Sequence, residues 1–483
     1  MAFSHKRLFL LPLDSRPVCY DLPKRLARVA GLELNLPSAN LLGKLKTPAN
    51  LKSLSRWVKN HLFENDPVIV ALDTVAYGGL ISSRVNIDSL DILKDRVNSF
   101  FRQIKADACF GFSAILRIPS YNGAEEEPEY WATHGKALYN YSAALHENGE
   151  APSPFGVPIV IVNDFSDRRA KNHALNLSYL KCLDDGRLNY LTYCQDDTGA
   201  FGLNVQEAQA LKNAILSSGY DTLAHVQTGA DEVAACMLAR WLTSQEETPL
   251  KIFPIYTHDD ARHLTARFDG LPIERVVNQA IASCGAELAS SKKEADLCLL
   301  VHTPASLQGD HCEKINAQLN KEQFEIAQAA LSENIDTQTL KLAIADVAYA
   351  NGGDPKLLEM MISRFQDWRN LYGYAAWNTP GNTIGTAVSM GIIRIIAEKQ
   401  NSFDSDEFHR LLLIRLADDW LYQADVRHLV RQQDPAKQLD EGLLNALMVD
   451  GISLIKSRLS LENESVECSY PCERTFEIKV GLR

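Results

Sequence analysis

Short apolar runs punctuate the chain, each closed by polar residues and followed by a helical pattern. They lie at residues 8–13, 68–72, 109–118, 188–194, 222–226, 251–256, 297–301, 342–345 and 373–376. Their apolar residues are continuous rather than alternating, as expected of strands covered on both faces. Between them, residues 87–104, 207–217, 273–284 and 314–331 repeat apolar positions at helical spacing. Strand and helix in alternation predict an α/β fold with parallel strands. The favoured form is a (β/α)8-like barrel with extra α/β elements; an open doubly wound parallel sheet is the alternative. Nine runs exceed the eight strands of a barrel, so at least one lies outside it. A tenth run, 157–162, reads either as a strand or as the start of a helix.

The pattern changes near residue 401. Residues 404–432 read as one long amphipathic helix with Phe408, Leu411, Leu412, Ile414, Leu416, Trp420 and Val426 facing inward. Residues 452–461 and 475–480 read as β pieces. This divides the chain into an α/β domain at 1–400 and a C-terminal helix plus short β segment at 401–483, packed on it. Two insertions separate the third and fourth main strands. Residues 121–128 are acidic, with Glu125, Glu126 and Glu127 in a row; residues 147–158 are rich in Pro and Gly. Long loops at such places shape substrate sites, and plain surface loop is the other reading. The sequence holds no internal repeat.

Composition narrows the function. The 483 residues are 46% hydrophobic, ordinary for a globular chain with a large core. The net charge of −12 is spread out, and Lys292-Lys293 and Arg168-Arg169 are isolated pairs. Without a basic stripe, no nucleic-acid partner is expected. The ten cysteines are scattered and read as reduced thiols, and neither zinc spacing nor HExxH is present. Residues 8–13 are too short for a signal peptide or a membrane span and end at Asp14 and Arg16. A cytoplasmic location with no membrane partner is therefore expected.

In parallel α/β folds ligands sit beyond the C-terminal ends of the strands. Here those ends carry Asp14 and Arg16; Asp73, Tyr77 and Arg84; Arg117, leading to Tyr121; Asp196 and Asp197; Asp231; Asp259; Asp346, leading to Asp354; and Trp377, Asn378 and Asn382. Asp231, Asp259 and Asp354 also suit helix caps, and Arg16 suits a buried ion pair with Asp14 or Asp73. Charge at the end of nearly every strand is costly unless it lines a polar site. Asp, Asn and Arg bond directionally to sugar hydroxyls, and Tyr and Trp rings pack on sugar faces. Glycine loops for phosphate are absent. The expected partner is a small carbohydrate, contacted by Asp14, Arg16, Asp73, Tyr77, Arg84, Arg117, Asp346, Trp377, Asn378 and Asn382. Adjacent Asp196 and Asp197 raise one another's pKa, leaving one protonated for acid-assisted glycoside cleavage.

The segments 12–17, 72–80, 195–198, 229–232 and 377–383 together resemble a bacterial family of unknown function, domain of unknown function 4127. The Asp-Asp pair after the fourth main strand is similar to that of the retaining, substrate-assisted N-acetylhexosaminidases. That resemblance implies Asp196 as the residue that orients the substrate's acetamido group and Asp197 as general acid, with no metal or cofactor. Both face one site only if the pair already lies in the turn, since strand residues alternate. Two other classes remain open. Asp14, Asp73, Asp196, Asp197 and Asp346 suit a hydrolase built on Mg²⁺ or Mn²⁺, and a non-catalytic sugar- or metabolite-binding protein would share the polar strand ends.

Overall fold

The computed structural model describes residues 7–106, 108–150, 154, 156–311, 325, 328, 340–434 and 438–482. Each of the nine apolar runs overlaps a strand. β1 (Arg7–Leu11), β2 (Glu33–Asn35), β3 (Val68–Ala71), β4 (Cys109–Ile115), β5 (Tyr190–Gln195) and β6 (Ala224–Thr228) form one sheet. β7 (Lys251–Tyr256), β8 (Glu287–Leu288), β9 (Leu297–His302), β11 (Leu342–Asp346) and β13 (Leu371–Ala375) form another, while β10 (Gly309–Asp310) pairs with β12 (Tyr349–Ala350). The extra strands β2 and β8 are edges with half-buried or exposed residues, so no apolar run marks them. The run at 157–162 starts the helix Ile159–Asp184, just after Pro158. The helix expected at 314–331 falls outside the described residues apart from positions 325 and 328, which are helical.

Among the described residues the strands do not close into one ring. Among the described residues the first sheet runs β2-β1-β3-β4-β5-β6 and the second β8-β7-β9-β11-β13, both parallel. The expected barrel thus gives way to its open-sheet alternative, twice. Numbered from its own first strand, each sheet begins 2-1-3-4-5, a repeat of topology without one of sequence. Alternation of strands and helices fixes parallel pairing but not closure, because both arrangements bury the same continuous strands.

One helix joins the halves. Pro380–Lys399 is buried from Pro380 to Ala397 and packs on helix Val233–Thr243, helix Ile273–Ser283, β11 and β13. A helix apolar all round belongs in a core. Gly381 lets it reach the first sheet: a Cβ there would lie 2.7 Å from the Thr228 carbonyl carbon and 2.8 Å from Gly229 N.

The tail shares this core, with Leu26, Val301 and Leu412 in one continuous cluster. Helix Ser405–Arg415 continues through π-helical turns at Leu416–Val426 into Arg427–Gln433, and the seven residues expected to face inward are buried. Residues 452–461 are not β. They end the helix Glu441–Leu459, whose buried Met448, Ile452, Ile455 and Leu459 follow the helical period. β15 (Lys479–Leu482) pairs antiparallel with β14 (Val466–Ser469). No helix among the described residues is long and apolar enough to cross a membrane. The nine described cysteines are free thiols, all buried.

Candidate functional site

Register brings the chemistry to one edge. Ile115, Gln195 and Thr228, at the ends of β4, β5 and β6, are direct neighbours. Arg117, Asp196, Asp197 and Asp231 therefore leave the sheet side by side. They open onto a cavity of about 760 Å³, whose other walls are Arg16, Arg84, the acidic loop Glu125-Glu126-Glu127, Phe268, Asn351 and Asn378 from the second half, and Glu473 to Phe476 from the tail. The tail segment is held in place from below, where Tyr422 Oη donates to Thr475 O at 2.8 Å and Gln423 Nε2 to Phe476 O at 3.1 Å.

Asp197 has φ +42°, in the left-handed region. This breaks strand alternation, so two consecutive carboxylates face the same cavity. Arg84 Nη2 donates to Asp196 Oδ2 at 2.5 Å, and Arg117 Nη1 to Asp197 Oδ2 at 2.8 Å. Burial and then the neighbouring Asp196 push the Asp197 carboxyl up to about 6, against the pull of Arg117 and Arg84. Both guanidiniums are shared. Glu126 Oε2 accepts from Arg84 Nη1 and Arg117 Nη2, each at 2.7 Å, while Glu126 Oε1 binds Arg474. Glu127 Oε1 accepts from Arg117 Nε at 2.8 Å and Arg84 Nη1 at 3.2 Å. Burial works to raise Glu126, but Arg117, Arg84 and Arg474 together hold it well below the usual carboxylate range.

A second clamp lies beside the first. Arg16 donates through Nε to Asp14 Oδ2 at 2.8 Å and through Nη2 to Asp231 Oδ1 at 2.5 Å. Burial pushes Asp231 up to about 6 in spite of Arg16. Deeper, burial pushes Asp269 up to about 8; its Oδ2 accepts the Gly381 N–H at 3.1 Å.

Backbone strain concentrates on this cavity. Among the described residues ten non-glycines have left-handed φ, and six of them line it: Asp197, Phe268, Asn351, Asn378, Leu439 and Glu473. Strain of this kind persists where surrounding structure over-determines it, and it clusters at functional sites.

Of the residues singled out in the sequence, Arg16, Arg84, Arg117, Tyr121, Asp196, Asp197, Asp231 and Asn378 line the cavity. Asp14 stands behind Arg16. The others serve elsewhere. Asp73 is fully buried and accepts the Ala114 N–H at 2.8 Å, with burial pushing its carboxyl up to about 7. Tyr77 and Trp377, expected as sugar platforms, are buried; the Trp377 ring meets Phe476 edge-on, 5.8 Å between centroids. Asp346 is spent on its own loop, accepting from Asp354 N at 2.6 Å and Ala348 N at 3.3 Å. Asn382 Oδ1 accepts from Ala230 N and Asp231 N, bracing the Asp231 turn. Asp354 caps its helix through Lys356 N, as its position suggested, whereas Asp231 clamps Arg16. Sequence reasoning noted the acidic insertion without placing Glu126 and Glu127 in the site, and nothing in the local pattern marked Phe268 or Arg474.

The five aspartates considered for a cation are not gathered: Asp346 ends β11 in the second sheet, and Asp196 and Asp197 face guanidiniums. Among the described residues no group of three His, Cys, Asp or Glu side chains is arranged to hold a metal ion.

No curated protein and no solved structure matches the chain. One family model does, over residues 8–481, a span that takes in both sheets, the cavity and the tail segment that walls it. Its description is a protein of unknown function, DUF4127, and the chain belongs to that family.

Proposed function

We propose that the protein is a retaining glycoside hydrolase acting on an N-acetylhexosamine-type sugar by substrate assistance. The observation that carries this is the left-handed turn at Asp197, which sets two adjacent carboxylates toward one cavity of saccharide size. Asp197, raised to about 6, is the general acid that protonates the leaving oxygen; a group titrating near the working pH gives up its proton most effectively. Asp196, anchored by Arg84 through one oxygen, orients the acetamido nitrogen with the other. The substrate's acetamido oxygen is the nucleophile, so no second carboxylate on the opposite face is required.

Aryl N-acetylhexosaminides, offered to the wild type and to Asp197→Asn, test the reading. Turnover by the wild type, falling steeply in the variant, is expected. Equal turnover by both, or none by the wild type across a broad glycoside panel, refutes it.

A further inference from the structure

Among the described residues that line the cavity, one aromatic residue holds a backbone conformation that bulky side chains avoid. Phe268 has φ +69°, an outlier for an aromatic side chain. Its turn is pinned from two sides. The Phe268 carbonyl accepts the Thr198 N–H at 2.7 Å, directly after the Asp196-Asp197 pair. The next residue, Asp269, forms a bridge with Thr198 and takes the Gly381 N–H. Pinning explains the backbone but not the side chain. Asn or Gly adopts left-handed backbone more readily, and Asn351 and Asn378 do so on the same cavity. Nor does core packing demand a phenyl ring here, since Phe268 is only half-buried and faces the cavity, with the guanidinium of the adjacent Arg267 5.6 Å from its ring centroid. Of the other rings on the cavity, Phe476 already packs on Trp377 and beneath the Arg474 guanidinium, and Tyr121 is more than half exposed to solvent.

We propose that Phe268 is the aromatic wall on which the substrate ring packs beside Asp196 and Asp197, so that the site selects ligands with an apolar ring face, as a pyranose presents. This rests on the reading of that pair as the reacting centre. A phenyl ring offers no polar handle, so its contribution is stacking and the exclusion of water around the acid. Phe268 thus supplies the platform for which Tyr77 and Trp377 are too deeply buried, and the backbone bond to Thr198 fixes it relative to Asp197.

Two variants separate packing from use. Phe268→Asn relieves the backbone and removes the ring; Phe268→Tyr keeps both. On aryl N-acetylhexosaminides, Phe268→Asn is expected to lose about tenfold or more in kcat/KM while its Tm rises, and Phe268→Tyr to stay within about threefold. An Asn variant with wild-type kcat/KM overturns the proposal, and so does one whose Tm falls, since the ring would then be packing. If the wild type is inert on every glycoside, the hydrolase reading fails and the wall is judged by binding. N-acetylglucosamine at saturating concentration then raises the Tm of wild type but not of Phe268→Asn. An equal response in both proteins, or none in either, overturns the wall as well.

Discussion

Replacing Asp197 by Asn tests the electrostatics of the site without any substrate. Burial and Asp196 raise the Asp197 carboxyl from its ordinary 3.8 to about 6. The folded protein therefore binds that proton more tightly than the unfolded chain does. Its contribution to stability is complete below the unfolded value and is lost as pH rises through the folded one. Each tenfold change in acidity is about 1.4 kcal/mol, so above pH 6 the ionised carboxylate costs about 3 kcal/mol. Asn, nearly the same shape, has no charge to desolvate. Arg117 loses one acceptor but keeps Glu126 and Glu127. Unfolding entropy near 2.1 cal/mol/K per residue over 483 residues is about 1 kcal/mol/K. Asp197→Asn is thus expected to melt up to about 3 °C above wild type at pH 8 and nearly level with it at pH 4. Thermal unfolding of both proteins across that range reads the difference. A Tm difference that does not grow with pH refutes the raised acidity, and with it the assignment of Asp197 as proton donor.

Three further outcomes follow from the same geometry. Glu126→Gln removes a carboxylate that raises Asp197 and releases two guanidiniums toward the pair, so the alkaline limb of the pH–rate profile moves to lower pH; an unmoved limb counts against the shared clamp. Gly381→Ala drives a methyl into the Thr228–Gly229 backbone, which costs about 1–3 kcal/mol or more and lowers the Tm; an unchanged Tm shows that the helix and β6 separate easily. Tyr77→Phe leaves kcat/KM within about twofold, because that ring is buried away from the cavity; a larger loss returns Tyr77 to the site.

Strand identity was legible because it rests on local burial: β1 after Arg7, β3 and most of β4 are apolar, and a two-sided sheet demands that. Edges were not legible, since β2 and β8 need only backbone pairing and carry residues such as Glu33 and Glu287. Closure was not legible either, because it depends on which strands meet and not on what each strand contains. The same division runs through the site. Arg84, Arg117, Asp196 and Asp197 follow strand ends and could be read there. Glu126, Phe268 and Arg474 arrive from a loop, from the second half and from the tail, and only long-range contact makes them neighbours. Asp346 shows the opposite error: a carboxylate at a strand end whose own loop turns back and occupies both of its oxygens.

What the assembled site adds to the Asp pair is a reason for the raised Asp197 carboxyl. Arg84 and Arg117 could have neutralised Asp196 and Asp197 completely, and an Asp197 held low would have no proton to give. They do not, because Glu126 and Glu127 take a large share of the same guanidinium donors. Arg474 secures Glu126 in its ionised form from the far wall. Glu126 thus stays charged while the Asp197 carboxyl is raised to about 6. Carboxyl groups pushed apart in this way mark acid and base roles. On the proposed mechanism the tail, although far from the pair in sequence, helps set the pH at which the pair works, through the Arg474 bond to Glu126.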